Sequence, residues 1–306
     1  MRIFVTGATG FIGSAIVQEL LGAGHQVLGL ARSEAAAQAL AAVGAEAHRG
    51  SLDDLDSLRR GAAASDGVIH TAFNHDFSAY EAAGQTDRHA IEALGEALAG
   101  SARPLLITAG LAGFNLGRPA TEEDNPVVSP RMSEVAAMEL AARGVHTSVI
   151  RLAPSVHDHG DRGFVPTLID IARQKGVAAY VGEGLNRWPA VHRLDAARLY
   201  RLALEHGTAG ARYHGAADEG IPMRDIAAII GRHLNLPVVS KSPEEAPDHF
   251  GWMARFVGLD LTASSTLTQQ QLGWHPSKPS LLLDLEQGHY FESAKEHDSA
   301  ATSLVI

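Results

Sequence analysis

Residues 3–13 of the chain read IFVTGATGFIG, a short aliphatic run that leads into a glycine-rich turn and then into a helix-like segment. Glycines at this spacing permit a tight turn, a close approach of the backbone to a phosphate group and close packing of helix on strand. The N-terminus of the following helix supplies unpaired N–H groups that bind anions. The stretch therefore predicts the pyrophosphate site of a dinucleotide, in preference to a plain glycine-rich turn. The predicted contact residues are Gly7, Thr9, Gly10, Phe11, Ile12 and Gly13.

The first half of the chain continues the alternation that this turn begins. Five strand-like aliphatic runs alternate with Ala-rich and Leu-rich segments, which indicates crossover units and a parallel sheet covered on both faces. The runs are 3–5, 26–30, 67–72, 104–108 and 147–152. We predict an α/β fold: a Rossmann-type doubly wound parallel sheet with a smaller C-terminal α/β substrate lobe. Residues 1–154 are the expected dinucleotide-binding domain, to which later segments return, residues 155–294 form mainly the substrate-binding lobe, and residues 295–306 are a tail.

Composition excludes several classes of site and partner. The chain has no Cys, which rules out disulfides, thiolate catalysis and Cys-ligated zinc. A net charge of −10 argues against nucleic acid or an anionic membrane as a partner. The 16 His show no metal-ligand spacing, so no metal site is predicted. The glycine motif begins too close to Met1 for a signal peptide and no apolar run approaches the ~18 residues of a membrane span, so we expect a cytoplasmic protein.

The end of the second strand predicts which dinucleotide is bound. It lacks the acidic residue that would bind the ribose 2′-hydroxyl of NAD, and Arg32 and Ser33 stand where a 2′-phosphate would arrive. Because a guanidinium can bind phosphate through two hydrogen bonds, we predict NADP(H); the alternative is that Arg32 is a solvated residue at a helix start. Asp53, Thr71 and Ala72 follow the next two strands and are candidate contacts for adenine and the second ribose, although Asp53 equally fits a helix N-cap.

Three segments carry a resemblance to a known family: the glycine motif Thr6–Gly13, VHRLDAAR at Val191–Arg198, and LGWHP at Leu272–Pro276. From residue 1 to about Phe291 the chain resembles the extended branch of the short-chain dehydrogenase/reductases, which includes the NAD-dependent epimerases and dehydratases. The resemblance implies that the N-terminal domain binds NAD(P) and that the C-terminal lobe shapes the substrate pocket. It also implies that two subunits pair through a helix bundle, so a homodimer is expected.

The family's catalytic residues are a Ser or Thr after the fifth strand and a Tyr-x-x-x-Lys pair on the following helix, where Lys lowers the pKa of Tyr. Thr108 is the hydroxyl nearest to that strand end, and Ala109 and Gly110 come after it. Between Thr108 and Arg151 the sequence has neither Tyr nor Lys, so it resembles the atypical members that lack this pair. In the register set by Glu139 the two places hold Arg131 and Val135, and in the register set by Ser133 and Glu134 they hold Pro130 and Glu134.

Other residues at strand ends must then supply the proton and the polarising charge. His75 follows the fourth strand and His157 the sixth, and an adjacent carboxylate can fix the tautomer of His75 or raise its pKa. Arg131 can stabilise an oxyanion but cannot donate its proton. Thr108 is the fourth candidate. The alternatives are that both histidines are ordinary loop residues, that Arg131 is solvated at a helix start, and that Thr108 only satisfies the strand end.

Residues 182–195 resemble the loop and helix start that close the substrate pocket in the family, with Trp188 and His192 as lining residues. Asp195 is the expected N-cap of the next helix. Phe164, Trp188, Phe250 and Trp252 could form an apolar pocket or could be core residues.

Together these features predict an NADPH-dependent oxidoreductase that reduces a carbonyl or C=N group of a small, rather apolar substrate. Two alternatives remain: a non-catalytic NADP(H)-binding sensor, and a sugar-nucleotide epimerase or dehydratase.

Overall fold

The computed structural model describes residues 1–74, 80–114, 116–125 and 131–292. The strands are β1 (Arg2–Thr6), β2 (Gln26–Ala31), β3 (Glu46–Arg49), β4 (Gly67–His70), β5 (Leu105–Gly110), β6 (Thr147–Leu152), β7 (Ser155–His157), β8 (Ala178–Val181), β9 (Arg187–His192), β10 (Arg212–Gly215), β11 (Asp218–Pro222) and β12 (Val238–Lys241). The helices are α1 (Phe11–Gly22), α2 (Glu34–Ala42), α3 (Leu55–Ala63), α4 (Tyr80–Leu98), α5 (Ser133–Ala142), α6 (Phe164–Lys175), α7 (Arg193–His206), α8 (Met223–Leu234), α9 (Ala246–Phe250), α10 (Ala254–Val257), α11 (Thr266–Leu272) and α12 (Leu281–Glu286).

Seven strands form one parallel sheet in the order β10-β6-β5-β4-β1-β2-β3. The strand order reverses between β1 and β4, so the loops that follow these two strands meet at the carboxyl edge of the sheet. In doubly wound folds this reversal is where a ligand binds. The five predicted strands all lie in this sheet, and the doubly wound fold predicted from the alternation of aliphatic runs and helix-like segments is confirmed.

Helices cover both faces of the sheet, because both faces of its strands are aliphatic. On one face Ile16 and Leu20 of α1 pack with Leu199 of α7. On the other face Ile91 of α4 and Leu140 of α5 lie in a second buried cluster. The two helical layers hold the sheet in place, and with it the loops at its carboxyl edge.

The smaller lobe is built on a three-stranded sheet, β11-β9-β7, and a two-stranded sheet, β12-β8. Its hydrophobic core contains the buried side chains of Ile169, Trp188, Ile226 and Leu281. After this lobe begins, the chain returns to the large sheet, since β10 pairs with β6 and α7 packs against α1. The boundary at residue 154 stays a prediction. In the described ranges no helix combines the length and hydropathy of a membrane span.

One segment differs from its prediction: residues 187–192, expected as a loop, form strand β9. The expectation comes from the resemblance of residues 182–195 to a pocket-closing loop, and Pro189 within the segment lacks the N–H donor that a regular strand uses. The structure accommodates it because the pairing with β11 is irregular there, with a register shift between Asp218 and Ile221. Pairing with β7 starts at Ala190, one residue beyond the proline.

Candidate active site

The glycine turn after β1 is shaped by backbone contacts that leave no room for side chains. Gly7 has a φ of 69°, and a Cβ there would lie 2.7 Å from the Thr71 hydroxyl and 2.8 Å from the Ala72 nitrogen. A Cβ on Gly13 would collide with the carbonyl of Gly7. These two glycines therefore allow β1, α1 and the loop after β4 to meet, as the motif predicts.

The start of α1 is open to an anion. Its N-cap is Gly10, and no side chain among the described residues caps it. The Gly10 N–H donates to the Gly7 carbonyl at 2.9 Å, which closes the turn below the helix. The N–H groups of the first turn of α1 lack a partner within the helix and can bind an anion. A dinucleotide pyrophosphate fits this site.

Arg32 and Ser33 follow β2 at the same edge. Ser33 caps α2 by accepting a hydrogen bond from the Ala36 N–H at 3.1 Å. Arg49, at the end of the neighbouring β3, is paired with Glu34. Arg32 is exposed and makes no hydrogen bond or ion pair to the part of the chain that the structure describes. Its guanidinium is thus available to a phosphate.

Asp53 is not a helix N-cap, so that alternative is wrong. The N-cap of α3 is Asp54, whose carboxylate accepts a hydrogen bond from the Ser57 N–H at 2.9 Å. Two adjacent aspartates fit the same pattern in sequence, and the start of the helix decides between them. Asp53 is exposed beside it, and its adenine role stays a prediction.

Arg131 lies at the carboxyl end of β5, close to the end of β4. Its guanidinium donates to the Thr108 carbonyl at 3.1 Å and to the Ser133 hydroxyl at 3.0 Å. It also stacks over the Phe73 ring, with the guanidinium carbon 4.4 Å from the ring centroid. These contacts hold a positive charge beside the loop that follows β4.

A buried hydrogen-bond chain lies behind Arg131, and the sequence interpretation missed it. Ser133 donates to one oxygen of Asp87 at 2.5 Å, and the other oxygen pairs with the Nε2 of His70 at 2.9 Å. The Nδ1 of His70 lies 2.8 Å from the Thr6 hydroxyl. All four residues are buried, so the chain connects the end of β1 to Arg131 through the interior. No local pattern marks it, since its members come from four separate segments.

Thr108 uses its hydroxyl inside the fold. The hydroxyl donates to the His70 carbonyl at 2.8 Å and lies 2.7 Å from the Tyr200 hydroxyl of α7. Thr108 is nearly buried, at 8% exposed. Its carbonyl contacts Arg131, so the residue reaches the site through its backbone. A catalytic role for its hydroxyl stays a prediction.

The two other catalytic candidates are histidines. His75 lies outside the described residues. His157 is buried and pairs with Asp284 of α12 at 2.8 Å, and its Nε2 has no hydrogen-bond partner in the described ranges. Its ring packs edge-on against His192, with the centroids 5.3 Å apart. His157 thus belongs to the smaller lobe, and its catalytic role stays a prediction.

His192 is the last residue of β9 and lies directly before α7. Its Nδ1 accepts from the Leu194 N–H at 3.2 Å, so His192 is the N-cap of α7. Burial lowers its pKa, against the opposing charge of Asp158. Asp158 also pairs with Arg193 at 3.1 Å, and Arg193 stacks over the Phe11 ring at 4.8 Å. These contacts join the smaller lobe to the start of α1.

The predicted N-cap role of Asp195 is wrong. Asp195 lies in the first turn of α7, where its carboxylate accepts hydrogen bonds from the backbone N–H groups of Ser277 and Lys278. It fastens a distant segment to α7, a contact that local sequence does not reveal.

Trp188 lies in the core of the smaller lobe, with 0% of its surface exposed. The Phe164 ring covers it at 5.4 Å and also contacts Phe256 at 5.2 Å and Trp252 at 6.1 Å. Trp252 is 45% exposed, so the aromatic cluster of Phe164, Trp252 and Phe256 reaches the surface while Trp188 supports it from below. The lining roles of Trp188 and His192 stay predictions.

Comparisons with known proteins fit this geometry. The NAD-dependent epimerase/dehydratase family matches residues 3–96. An uncharacterized protein of Schizosaccharomyces pombe is 52% identical over 295 residues, which cover 95% of this chain and 100% of that protein. The 4-hydroxy-2-methyl-3-oxo-4-farnesyl-3,4-dihydroquinoline-1-oxide ketoreductase of Stigmatella aurantiaca is 27% identical, covering 75% of this chain and 72% of its own. Among solved structures, the dTDP-glucose 4,6-dehydratase DesIV of Streptomyces venezuelae, with NAD bound, is 20% identical with a TM-score of 0.77, covering 97% of this chain and 98% of that one.

The sheet order, the glycine turn and the open start of α1 define a Rossmann-type protein whose site suits NAD(P). The chain belongs to the extended short-chain dehydrogenase/reductases, within the NAD-dependent epimerase/dehydratase family. Proteins of this superfamily are NAD(P)-dependent oxidoreductases and epimerases. Among the described residues no cluster of three or more His, Asp or Glu could hold a metal ion.

Proposed function

We propose that this protein is an NADPH-dependent oxidoreductase that reduces a carbonyl or C=N group of a small, rather apolar substrate. The observation that carries the proposal is the placement of Arg131, held by the Thr108 carbonyl and the Ser133 hydroxyl at the edge where β4 and β5 end. When a carbonyl accepts hydride, negative charge develops on its oxygen, and a fixed guanidinium stabilises that charge. The cofactor supplies the hydride; the chain supplies the charge and the alignment.

The cofactor preference depends on Arg32. It is exposed beside the N-cap of α2 and makes no contact that competes for its guanidinium within the described ranges. Arg49 lies on the neighbouring strand but is already paired with Glu34. A 2′-phosphate arriving at the end of β2 would therefore bind Arg32 first, and NAD, which has no such phosphate, gains nothing from it.

Side chains of the smaller lobe favour an apolar substrate. The surface cluster of Phe164, Trp252 and Phe256 offers apolar area. A sugar nucleotide would need free cations for its diphosphate, but Arg187 is paired with Asp260 at 2.9 Å and Arg193 with Asp158 at 3.1 Å. The name of the Stigmatella aurantiaca relative, a ketoreductase, supports the same reaction type. The homodimer and the cytoplasmic location stay predictions.

The test is single-turnover oxidation of bound NADPH, followed by nicotinamide absorbance, with a panel of ketones, aldehydes and cyclic imines. Oxidation by at least one member is expected. Tight NADPH binding with no oxidation by any member would indicate the sensor instead. Oxidised cofactor that is reduced and reoxidised during conversion of a sugar nucleotide would indicate the epimerase class.

The cofactor preference has its own variant pair. Arg32→Ala should weaken NADPH binding about tenfold or more, the worth of a charge-assisted hydrogen bond, and leave NADH binding unchanged. Arg143→Ala, which removes an exposed arginine at the end of α5, is the matched control and should change neither. An unchanged ratio of the two affinities in Arg32→Ala would refute the assignment of Arg32 to the 2′-phosphate.

A further inference from the structure

Carbonyl reduction consumes a proton as well as a hydride, and Arg131 cannot supply it, because a guanidinium stays protonated in proteins. The donor must lie near Arg131 and carry an acidic hydrogen. The hydroxyls of Thr108 and Ser133 point into the fold, towards the His70 carbonyl and the Asp87 carboxylate. Another side chain has to face the site.

Tyr80, the first residue of α4, meets this requirement. Its ring contacts the Phe73 ring, with centroids 5.8 Å apart and planes inclined by 64°. Arg131 stacks over that same Phe73 ring at 4.4 Å. One aromatic residue in the loop after β4 thus brings a phenol and a guanidinium together, although Tyr80 begins α4 and Arg131 lies just before α5. Tyr80 is only partly buried, so it is not part of the closed core.

We propose that Tyr80 is the proton donor of the reductase, with Arg131 as the cation that stabilises the phenolate left behind. The inference rests on the proposed function and names the acid of that same site. It relocates the phenol from the helix after β5, where the sequence from Thr108 to Arg151 has no Tyr, to the start of α4.

The step balances. The carbonyl carbon accepts the hydride from the reduced cofactor while the electron pair of the C=O π bond moves to oxygen. That oxygen takes the proton of the Tyr80 hydroxyl, whose O–H bond breaks. The products are the alcohol, the oxidised cofactor and the Tyr80 phenolate, which water then reprotonates. For a C=N substrate, nitrogen takes the proton in the same way.

The charges around Tyr80 suit an acid. Burial raises the pKa of Tyr80, Arg131 acts in the opposite direction, and Asp87 adds to the rise. The phenol therefore stays protonated at neutral pH, as a donor must. The Ser133 hydroxyl, bonded to Asp87, holds the guanidinium in place on one side and the Thr108 carbonyl holds it on the other.

The test compares Tyr80→Phe with Tyr180→Phe, which removes a partly buried phenol of β8 in the smaller lobe. With a substrate that the wild type reduces, Tyr80→Phe should slow single-turnover oxidation by about 10²- to 10⁴-fold, the usual contribution of a general acid, and should bind NADPH within about twofold of the wild type. Tyr180→Phe should match the wild type in both measurements. A Tyr80→Phe rate within about threefold of wild type overturns the inference and leaves the proposed function standing, whereas a wild type that oxidises NADPH with no compound removes both.

A second readout needs neither cofactor nor substrate. Phenolate absorbance followed against pH, as the difference between each protein and its Tyr80→Phe counterpart, isolates one of the five tyrosines. Arg131→Met should shift that midpoint upwards by about one pH unit or more, and Arg131→Lys should restore most of the shift. A midpoint that Arg131→Met leaves in place would disprove the pairing of the two residues, because a merely structural Arg131 would not move it.

Discussion

Replacing Arg151 should show how much one buried ion pair contributes to the stability of the fold. Arg151 lies on β6 and is 0% exposed. Its guanidinium donates to both oxygens of Glu134, at 2.9 and 2.5 Å, and to the backbone carbonyls of Asp124 at 2.8 Å and Glu122 at 3.4 Å. It also stacks over the Phe114 ring at 4.6 Å.

The magnitude follows from these contacts. In Arg151→Met the Glu134 carboxylate keeps one partner, Arg212 at 2.8 Å, but loses the pair that neutralised it in the interior. Removing one member of a buried pair costs about 3–5 kcal/mol, because the remaining charge stays desolvated. The carbonyls of Asp124 and Glu122 also lose a donor. We expect the free energy of unfolding to fall by about 4 kcal/mol, and the melting temperature by roughly 10 °C.

Urea denaturation measures this change. Arg88→Met is the control, since Arg88 is likewise an ion-paired arginine, with Glu92 at 2.9 Å and Glu139 at 2.7 Å, but its side chain is 26% exposed. It should cost less than about 1 kcal/mol. The double variant Arg151→Met with Glu134→Gln should cost at least about 2 kcal/mol less than the two single changes added together. A loss in Arg151→Met no larger than that in Arg88→Met, or strict additivity in the cycle, would refute the reasoning.

Two further predictions concern pH and the glycine turn. Burial, aided by Arg151, lowers the pKa of His214 from 6.5 to about 4. The folded protein therefore keeps His214 neutral between these two pH values, while the unfolded chain protonates it. The free energy of unfolding should then fall by about 3 kcal/mol as pH is lowered from 6.5 to about 4. Asp161, whose pKa burial raises to about 6, changes stability in the opposite direction, so the quantity to measure is the difference in unfolding free energy between wild type and His214→Gln across this range; a constant difference would contradict the prediction. Gly13→Ala should abolish detectable dinucleotide binding, because the added Cβ meets the Gly7 carbonyl, and a fluorescence titration with unchanged affinity would show that this close approach is unnecessary.

The local parts of the fold could be predicted from the sequence because their causes are local. A positive φ at Gly7 and the lack of space at Gly13 require glycine whatever surrounds them, so the motif alone marks the turn. Alternating aliphatic runs similarly indicate strands that are buried on both faces. Strand β9 is not among the predicted strands, because the segment is interpreted as a loop by resemblance, and a strand that contains Pro189 depends on its irregular pairing with the distant β11.

The same distinction between local and long-range causes applies to the candidate site. The sequence by itself determined the dinucleotide turn, the parallel sheet and the presence of Arg131 in place of the usual tyrosine in one register, all of which depend on residue type at a fixed spacing. Only the tertiary structure decided that Thr108 turns its hydroxyl inwards and that Tyr80 and Arg131 share the Phe73 ring. The physical reason is that hydrogen bonds and ring contacts between segments depend on the packing of α4 and α5 over the sheet, which no spacing along the chain records.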